Sequence, residues 1–470
     1  MASIAENRAK DYMEERDSTL CITSFFKKYK ISNKLKASNA YKSKGIPAAQ
    51  AFLYLVKLVF TKKSMYMNIM NGTNSAGFAK DVIYRLLNAT FVNWTAFLFS
   101  VAGSVIAGIA SLTGGDRLNA IIIDDSLYER RRSKKAELLA RVHDHAEKSK
   151  NKYKRGFRML TMGWSDGVTF IPLTFRHLSS ADKGNRHNEM NPGIDKRSVG
   201  YKFRKQAVSK APDVLLSMLQ QARRMLIPAR HAVFDSWFTF PATVMRIRGA
   251  GFDVVARLKD SPKIKYYAGG RKQTLRQIYA ASKKRRGRAR YLLSTEVMLY
   301  NDGDEKMPAR IVFVRDRSNS KKWIAFVSTD ISLTEEQIIA LYGKRWDIEV
   351  FFKICKSYLN LAREFYGLSY DSMTAHTTVV MTRYIILAAQ KRQNEDPRSM
   401  GELFYLMYDE MADIQFADAL KLILGLIRET LADCLFLSDN QVAEIISRFV
   451  SKLSACFKHL FSGFDADLAC

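Results

Sequence analysis

The sequence predicts an α/β protein: a mixed sheet flanked by helices, with a β-rich insertion and helical amino- and carboxyl-terminal regions. Three observations predict it. Two short apolar runs, NAIIIDDS and HAVFDSWF, read as buried strands running into acids. A strand-rich stretch fills residues 252–330, and apolar, basic segments of helical texture lie on either side of these strands. The chain has 470 residues, 47% hydrophobic and 26% charged, with 9 Pro and 24 Gly. That composition excludes a disordered, collagen-like or disulfide-stapled protein.

Taken in order, residues 1–115 read as helical, through AAQAFLYLVKLVF and DVIYRLLNATFVNW. Between Arg85 and Asp116 lie 30 uncharged residues, long enough to cross a membrane. Asn, Ser, Thr and Gly dilute this stretch, so a buried helix is expected and no membrane partner. The texture changes at 116, with NAIIIDDS and a polar, helix-like segment, ERRRSKKAELLARVHDHAEKSKNKYKR, and a core reads from there to 251. RGFRMLTMGW and TFIPLTF form a hairpin about Ser165, Asp166 and Gly167, and residues 176–211 read as a long polar loop. PATVMRIRGAG opens a helix with Pro and closes it with Gly. The insertion (252–330) carries the cationic loop KKRRGRAR at 283–290. Thr334 with Gln337 marks a capping box, and one long helix is expected through EEQIIALYGKRWDIEVFFKICKSYL. Core texture resumes over 331–400, and 401–470 is helical.

The 75 Lys and Arg outnumber the 46 Asp and Glu, for a net charge of +29. Such an excess is self-repelling and answers to a polyanion, most often nucleic acid. Five scattered cysteines (21, 355, 434, 456, 470) without a Cys-x-x-Cys pair suit a reducing cytosol and no structural zinc site. The charged opening, MASIAENRAKDYMEERD, gives no reason to expect a signal peptide.

Three acids stand out by position. Asp124 and Asp235 end strands, and Glu349 lies on the long helix. The order strand, hairpin, helix, strand, helix is compatible with a ribonuclease-H-like sheet, in which such acids converge. Clustered carboxylates repel, by about 4 kcal/mol for a pair at ~4 Å and an effective dielectric of ~20. Mg²⁺, which prefers hard oxygen ligands, would offset that. Tyr342, Arg345, Glu349 and Lys356 fall within an arc of about 60° on one continuous helix, a line of phenol, guanidinium, carboxylate and ammonium. Trp346, Ile348, Phe351 and Phe352 are expected to bury the rest of that helix. His143-Asp144-His145 is not expected to bind metal, since residues two apart on a helix point in different directions.

YGKRWDIEVFFKICK, from Tyr342 to Lys356, resembles the Y-R-E-K signature of insertion-sequence transposases, the DDE cut-and-paste class on a ribonuclease-H-like fold. IIIDDSLYERRRSKK and VFDSWFTFP resemble that family's first- and second-acid blocks, and the likeness covers roughly residues 116–390. It implies that Asp124, Asp235 and Glu349 are catalytic and hold two Mg²⁺ ions, with Mn²⁺ able to substitute. Asp-x-Ser selects Asp124, while a strand one residue longer would select Asp125. Tyr342, Arg345 and Lys356 would contact DNA. In relatives that cut through a hairpin, aromatic residues of the insertion hold a flipped base; Trp237 and Trp323 are candidates for this, or for core packing. Lys283, Lys284, Arg285, Arg286 and Arg288 are further DNA-contact candidates, or a solvated charge run. The implied activity is cleavage at terminal inverted repeats and joining to target DNA. A homodimer is expected, with 1–115 binding the DNA end and 401–470 a possible dimer interface. The alternatives are a same-fold nuclease that cuts without joining, and a catalytically silent DNA-binding protein.

Overall fold

The computed structural model describes residues 17–61, 64–70, 77–112, 117–144, 153–285, 289–301, 305–316, 319, 322–393 and 400, with isolated positions between 441 and 448. The chain divides into two compact units. One comprises Ile22–Val59 and Lys63–Leu403, and the description below concerns it. The expected helical region 401–470 lies almost wholly outside the described residues.

Helices over Ile31–Ala37, Ala48–Leu58 and Lys80–Leu87 lead to α1 (Trp94–Ile109). This is the uncharged segment, and it is a core helix: Phe97, Leu98, Phe99, Val101, Ala102, Val105 and Ile109 are fully buried. Asn93 caps its first turn by accepting from the Ala96 N–H at 3.0 Å. Ser100 and Ser104 accept from the Lys34 ammonium, at 3.2 and 2.8 Å. The polar residues that dilute the segment thus have partners inside the protein.

Among the described residues, eleven strands form a single mixed sheet. β1 (Ala120–Glu129) pairs antiparallel with β3 (Tyr153–Ser165), whose far edge takes both the short β2 (Ala140–His143) and β4 (Phe170–Leu178). On the other side, β5 (His231–Phe234) lies parallel to β1, and β6 (Asp253–Arg257) parallel to β5. This order, β4-β3-β1-β5-β6, is the ribonuclease-H-like pattern. β6, which the sequence reading groups with the insertion, is its last strand. The sheet then continues without a break through β11 (Trp323–Ser328), β10 (Lys306–Arg315), β9 (Leu293–Tyr300), β7 (Tyr266–Ala268) and β8 (Arg271–Gln273).

The β3–β4 hairpin is fixed where the sequence places it. Asp166 accepts from the N–H groups of Val168 and Thr169, Ser165 Oγ accepts from Gly167 N–H, and Gly167 takes φ +91°. The polar stretch after it contains a helix, α2 (Val199–Ala207), followed by α3 (Ala211–Arg224) and, beyond β5, α4 (Pro241–Gly249) with its proline in the first turn. α5 (Leu275–Ala281) belongs to the insertion.

Two expectations are corrected. The segment after Glu129 is not a helix. Among its described residues it turns away and returns as β2, because Arg130 and Glu137 are buried with distant partners. Arg130 donates to the carbonyls of Phe365 and Gly367, and Glu137 pairs with Arg204 at 2.6 Å. Such tertiary bonds outweigh local helix propensity. Nor is the capping-box helix continuous. It begins at Thr334, which accepts from Gln337 N–H as expected, but divides into α6 (Glu335–Gly343) and α7 (Trp346–Ser357). At the joint Arg345 and Asp347 bond back three residues instead of four, a local tightening after Gly343. The last long helix among the described residues of this unit is α8 (Tyr370–Gln393), which packs with α1 against β4.

Candidate active site

The register of the parallel pair sets the site. Ile123 pairs with Phe234, so the next residues, Asp124 and Asp235, emerge side by side on strands about 4.8 Å apart. β5 leaves the sheet at this level, whereas β1 runs on to Glu129 against β3. Asp124 is therefore in mid-strand, not at a strand end as the sequence suggests, and a cleft opens beside it. Asp235 caps a short 3₁₀ turn by accepting from Trp237 N–H at 2.9 Å.

Side chains two apart on a strand share a face. Asp124 and Ser126 both face α7. Arg345 reaches Asp124 at 3.1 Å and Glu349 at 2.5 Å, and the Lys356 ammonium donates to Ser126 Oγ at 2.6 Å. Asp125 points to the opposite face, where Arg158 holds it in an ion pair. The choice between Asp124 and Asp125 is thus one of faces, and only Asp124 pairs with Arg345, which also holds Glu349. Tyr342, on α6, packs its ring on Phe326 at 4.3 Å between centroids, with the Arg345 guanidinium 5.8 Å from it. Burial raises the Tyr342 phenol, and the Asp235 charge adds to the rise.

Burial pushes the Asp124 carboxyl up to about 7, against the Asp125 backbone N–H and the Arg345 guanidinium. The charges of Asp125 and Asp235 push the same way as burial. Asp124 and Glu349 thus share the one Arg345 guanidinium, with Asp235 beside Asp124, so carboxylates outnumber the guanidinium that pairs with them. Hard oxygen donors in that state fit divalent cations such as Mg²⁺.

The sequence profile of the family described as DDE superfamily endonuclease matches residues 54–297, just over half of the chain. The chain belongs to this family. No curated protein matches it. The matched span contains Asp124 and Asp235 and stops before Glu349, so Glu349 stands on its contact with Arg345. Membership makes the chain a nuclease of the transposase type, acting on DNA with divalent metal.

The remaining candidates divide. Trp237 is 56% exposed beside Asp235, with the Arg158 guanidinium 5.6 Å from its ring, so it is not core. Trp323 is half-buried in an aromatic cluster with Tyr279 and Phe313, at centroid distances of 5.3 and 5.0 Å. Trp346, expected to be buried, is 64% exposed because the break before it turns it outward. Lys284 lies over Tyr279 and Arg285 over Tyr291, while Lys283 is exposed. Arg286, Arg288 and His145 lie outside the described residues. This loop precedes β9, five strands from β1, or about 24 Å at the usual spacing. It is not part of the acid cluster. Ser126 and Arg158 are the residues whose roles the sequence reading missed. The signal for Ser126 was its two-residue offset from Asp124. Arg158, on β3, carried none.

A second tight group, His231, Asp253 and Asp330, has ligand atoms within 4.8 Å of one another. It lies at the opposite end of β5 from Asp235 and is already neutralised. Arg230 pairs with both aspartates, at 3.0 and 3.2 Å, and Arg248 pairs with Asp253 at 3.0 Å. Thr329 donates to the Asp253 oxygen that Arg248 also binds, and Ser332 to the other oxygen of Asp330. This is a structural ion network with no need of a cation.

Proposed function

We propose that this chain is a DNA transposase of the cut-and-paste kind. It binds the terminal inverted repeats of its element as a homodimer, hydrolyses the phosphodiester at each end and joins the freed 3′-hydroxyl to target DNA. The observation that carries the reading is Asp235 beside Asp124 where β5 departs from β1, with Arg345 joining Asp124 to Glu349. Two Mg²⁺ ions held by these carboxylates, or Mn²⁺ in their place, would supply charge stabilisation for an in-line phosphoryl displacement.

The protein's own groups do the positioning. Arg345, held between Asp124 and Glu349, presents a planar donor fork suited to phosphate oxygens. Lys356 and Tyr342 flank it on either side, and the net charge of +29 adds sequence-independent affinity for the duplex. Residues 1–115 supply the end-binding domain, and exposed Trp237 stands beside the site where an unstacked base could rest.

The test uses the full chain and a plasmid carrying the DNA that brackets its reading frame. Cleaved ends and joined products are expected with Mg²⁺ and absent with a chelator. Glu349→Gln is expected to keep end binding and lose both products. Cleavage without joining would reduce the reading to a same-fold nuclease, and cleavage by the variant would overturn the site.

A further inference from the structure

We propose that the cleft between the end of β1 and the loop after α7 seats a single DNA strand leaving the acid cluster, gripping its phosphates and stacking one base on Tyr366. This rests on the transposase reading and adds to it the route of the strand and the side chains that line the route.

Lys356 joins the two places. Its ammonium binds Ser126, two residues from Asp124, and the same side chain lines a cleft of about 440 Å³ with Arg130, Arg131, Arg132, Arg363 and Tyr366. Two acids, Glu129 and Asp144, also line it, against five basic residues. The surplus is cationic, and the space is of nucleotide size, not duplex size. Arg131 is only loosely paired with Glu129, at 3.7 Å, and is well exposed. Arg132 and Arg363 are exposed as well. These three are available to phosphates.

Arg130 does something different. Its guanidinium is buried and donates to the Phe365 and Gly367 carbonyls, at 3.1 and 2.6 Å. It thereby pins the backbone on both sides of Tyr366, and it lies 5.6 Å from the centroid of that ring. Tyr366 nonetheless remains 66% exposed. A large aromatic ring, fixed through its backbone and open to the cleft, is a stacking platform for a base that has left its duplex. The lip of the cleft is also strained. Asn360 and Ala362 take φ of +58° and +63°, a region that residues with a Cβ adopt at a cost, on either side of the buried Leu361. That turn sets Arg363 at the cleft, and such strain gathers at ligand clamps.

The experiment measures equilibrium binding of the full chain to two probes: a blunt duplex, and the same duplex extended by a flank of about ten thymidines. The flank carries a fluorescent base analogue. Wild type is expected to prefer the flanked probe and to quench the analogue. Tyr366→Ala should weaken binding of that probe by about five- to a hundredfold, the range that one stacked base gives, without changing the blunt duplex. Tyr366→Phe should retain both the affinity and the quenching. Arg363→Ala should lower the salt slope by about one on the flanked probe alone. Equal losses on both probes, or none on either, would overturn the cleft. A chain that binds blunt duplex with no preference for the flank ends this proposal and leaves the transposase reading standing. One that binds neither probe ends both.

Discussion

Strand β5 carries an acid cluster at each end, and the two clusters differ in who supplies the positive charge. At its start, Asp253 and Asp330 are buried with His231, and Arg230 and Arg248 already balance them. Just past its end, Asp235 lies beside Asp124, which shares with Glu349 the single guanidinium of Arg345. The first is the tighter cluster by distance, yet it has nothing left to bind. Proximity of carboxylates is therefore a poor guide to a metal site. The unfilled demand for cation is the better one.

Substitutions can break this contrast. The largest effect is expected from Asp235→Asn. It should reduce cleavage by well over the ~100-fold that loss of a metal ligand's supporting partner costs, with a thermal midpoint close to wild type. Normal cleavage by that variant would sink the assignment. Asp253→Ala should do the reverse. The two arginines it releases are solvent-exposed, but the buried Thr329 hydroxyl loses its acceptor, so a loss of about 1–3 kcal/mol in stability is expected by denaturant titration. Cleavage per folded molecule should be retained, and a selective loss of activity would mean that the wrong cluster had been chosen.

Smaller effects sharpen the comparison. Lys356→Ala should lower the salt slope of end binding by about one, as loss of one phosphate contact requires; an unchanged slope would remove it from the interface. The clusters should also titrate in opposite senses. Asp124 is raised to about 7, so without divalent cation its contribution to stability grows as pH falls from there towards the ordinary ~3.9. Burial pushes Asp330 up, but hydrogen bonds from Ser332 and His231 outweigh it and hold the carboxyl below its ordinary value. Its stabilisation is complete above ~3.9 and is lost as pH falls through the lower folded value. Thermal melts in chelator should show the first trend disappear in Asp124→Asn and the acid loss flatten in Asp330→Asn.

Much of this was legible in the sequence. β-branched runs marked β1 and β5, Asp166 and Gly167 marked the hairpin, and Thr334 with Gln337 marked the start of α6. Asp124, Asp235, Arg345 and Glu349 were candidates on residue type and on the resemblance of their motifs; Arg345 does meet Asp124 and Glu349, though Asp124 lies in mid-strand and the helix breaks at Arg345. What was hidden depends on partners remote in sequence. The segment after Glu129 has the composition of a helix, but Arg130 and Glu137 are claimed by residues more than 60 positions away. The break at Lys344 and Arg345 has no breaker beyond Gly343, and it alone turns Trp346 outward. Single-strand periodicity is also silent about neighbours, so nothing along the chain could say that β11 would join β6.

That junction has a mechanical consequence. Val233, Val255, Val312 and Phe326, from β5, β6, β10 and β11, pack into one apolar cluster with Ile338 and Leu341 of α6. Among the described residues, β9–β11 thus continue the β5–β6 sheet across one packed seam. Lys284 and Arg285, stacked over Tyr279 and Tyr291, and the acid cluster are held like the jaws of a fixed gauge, and a nucleic acid touching both must bend or twist to suit that span.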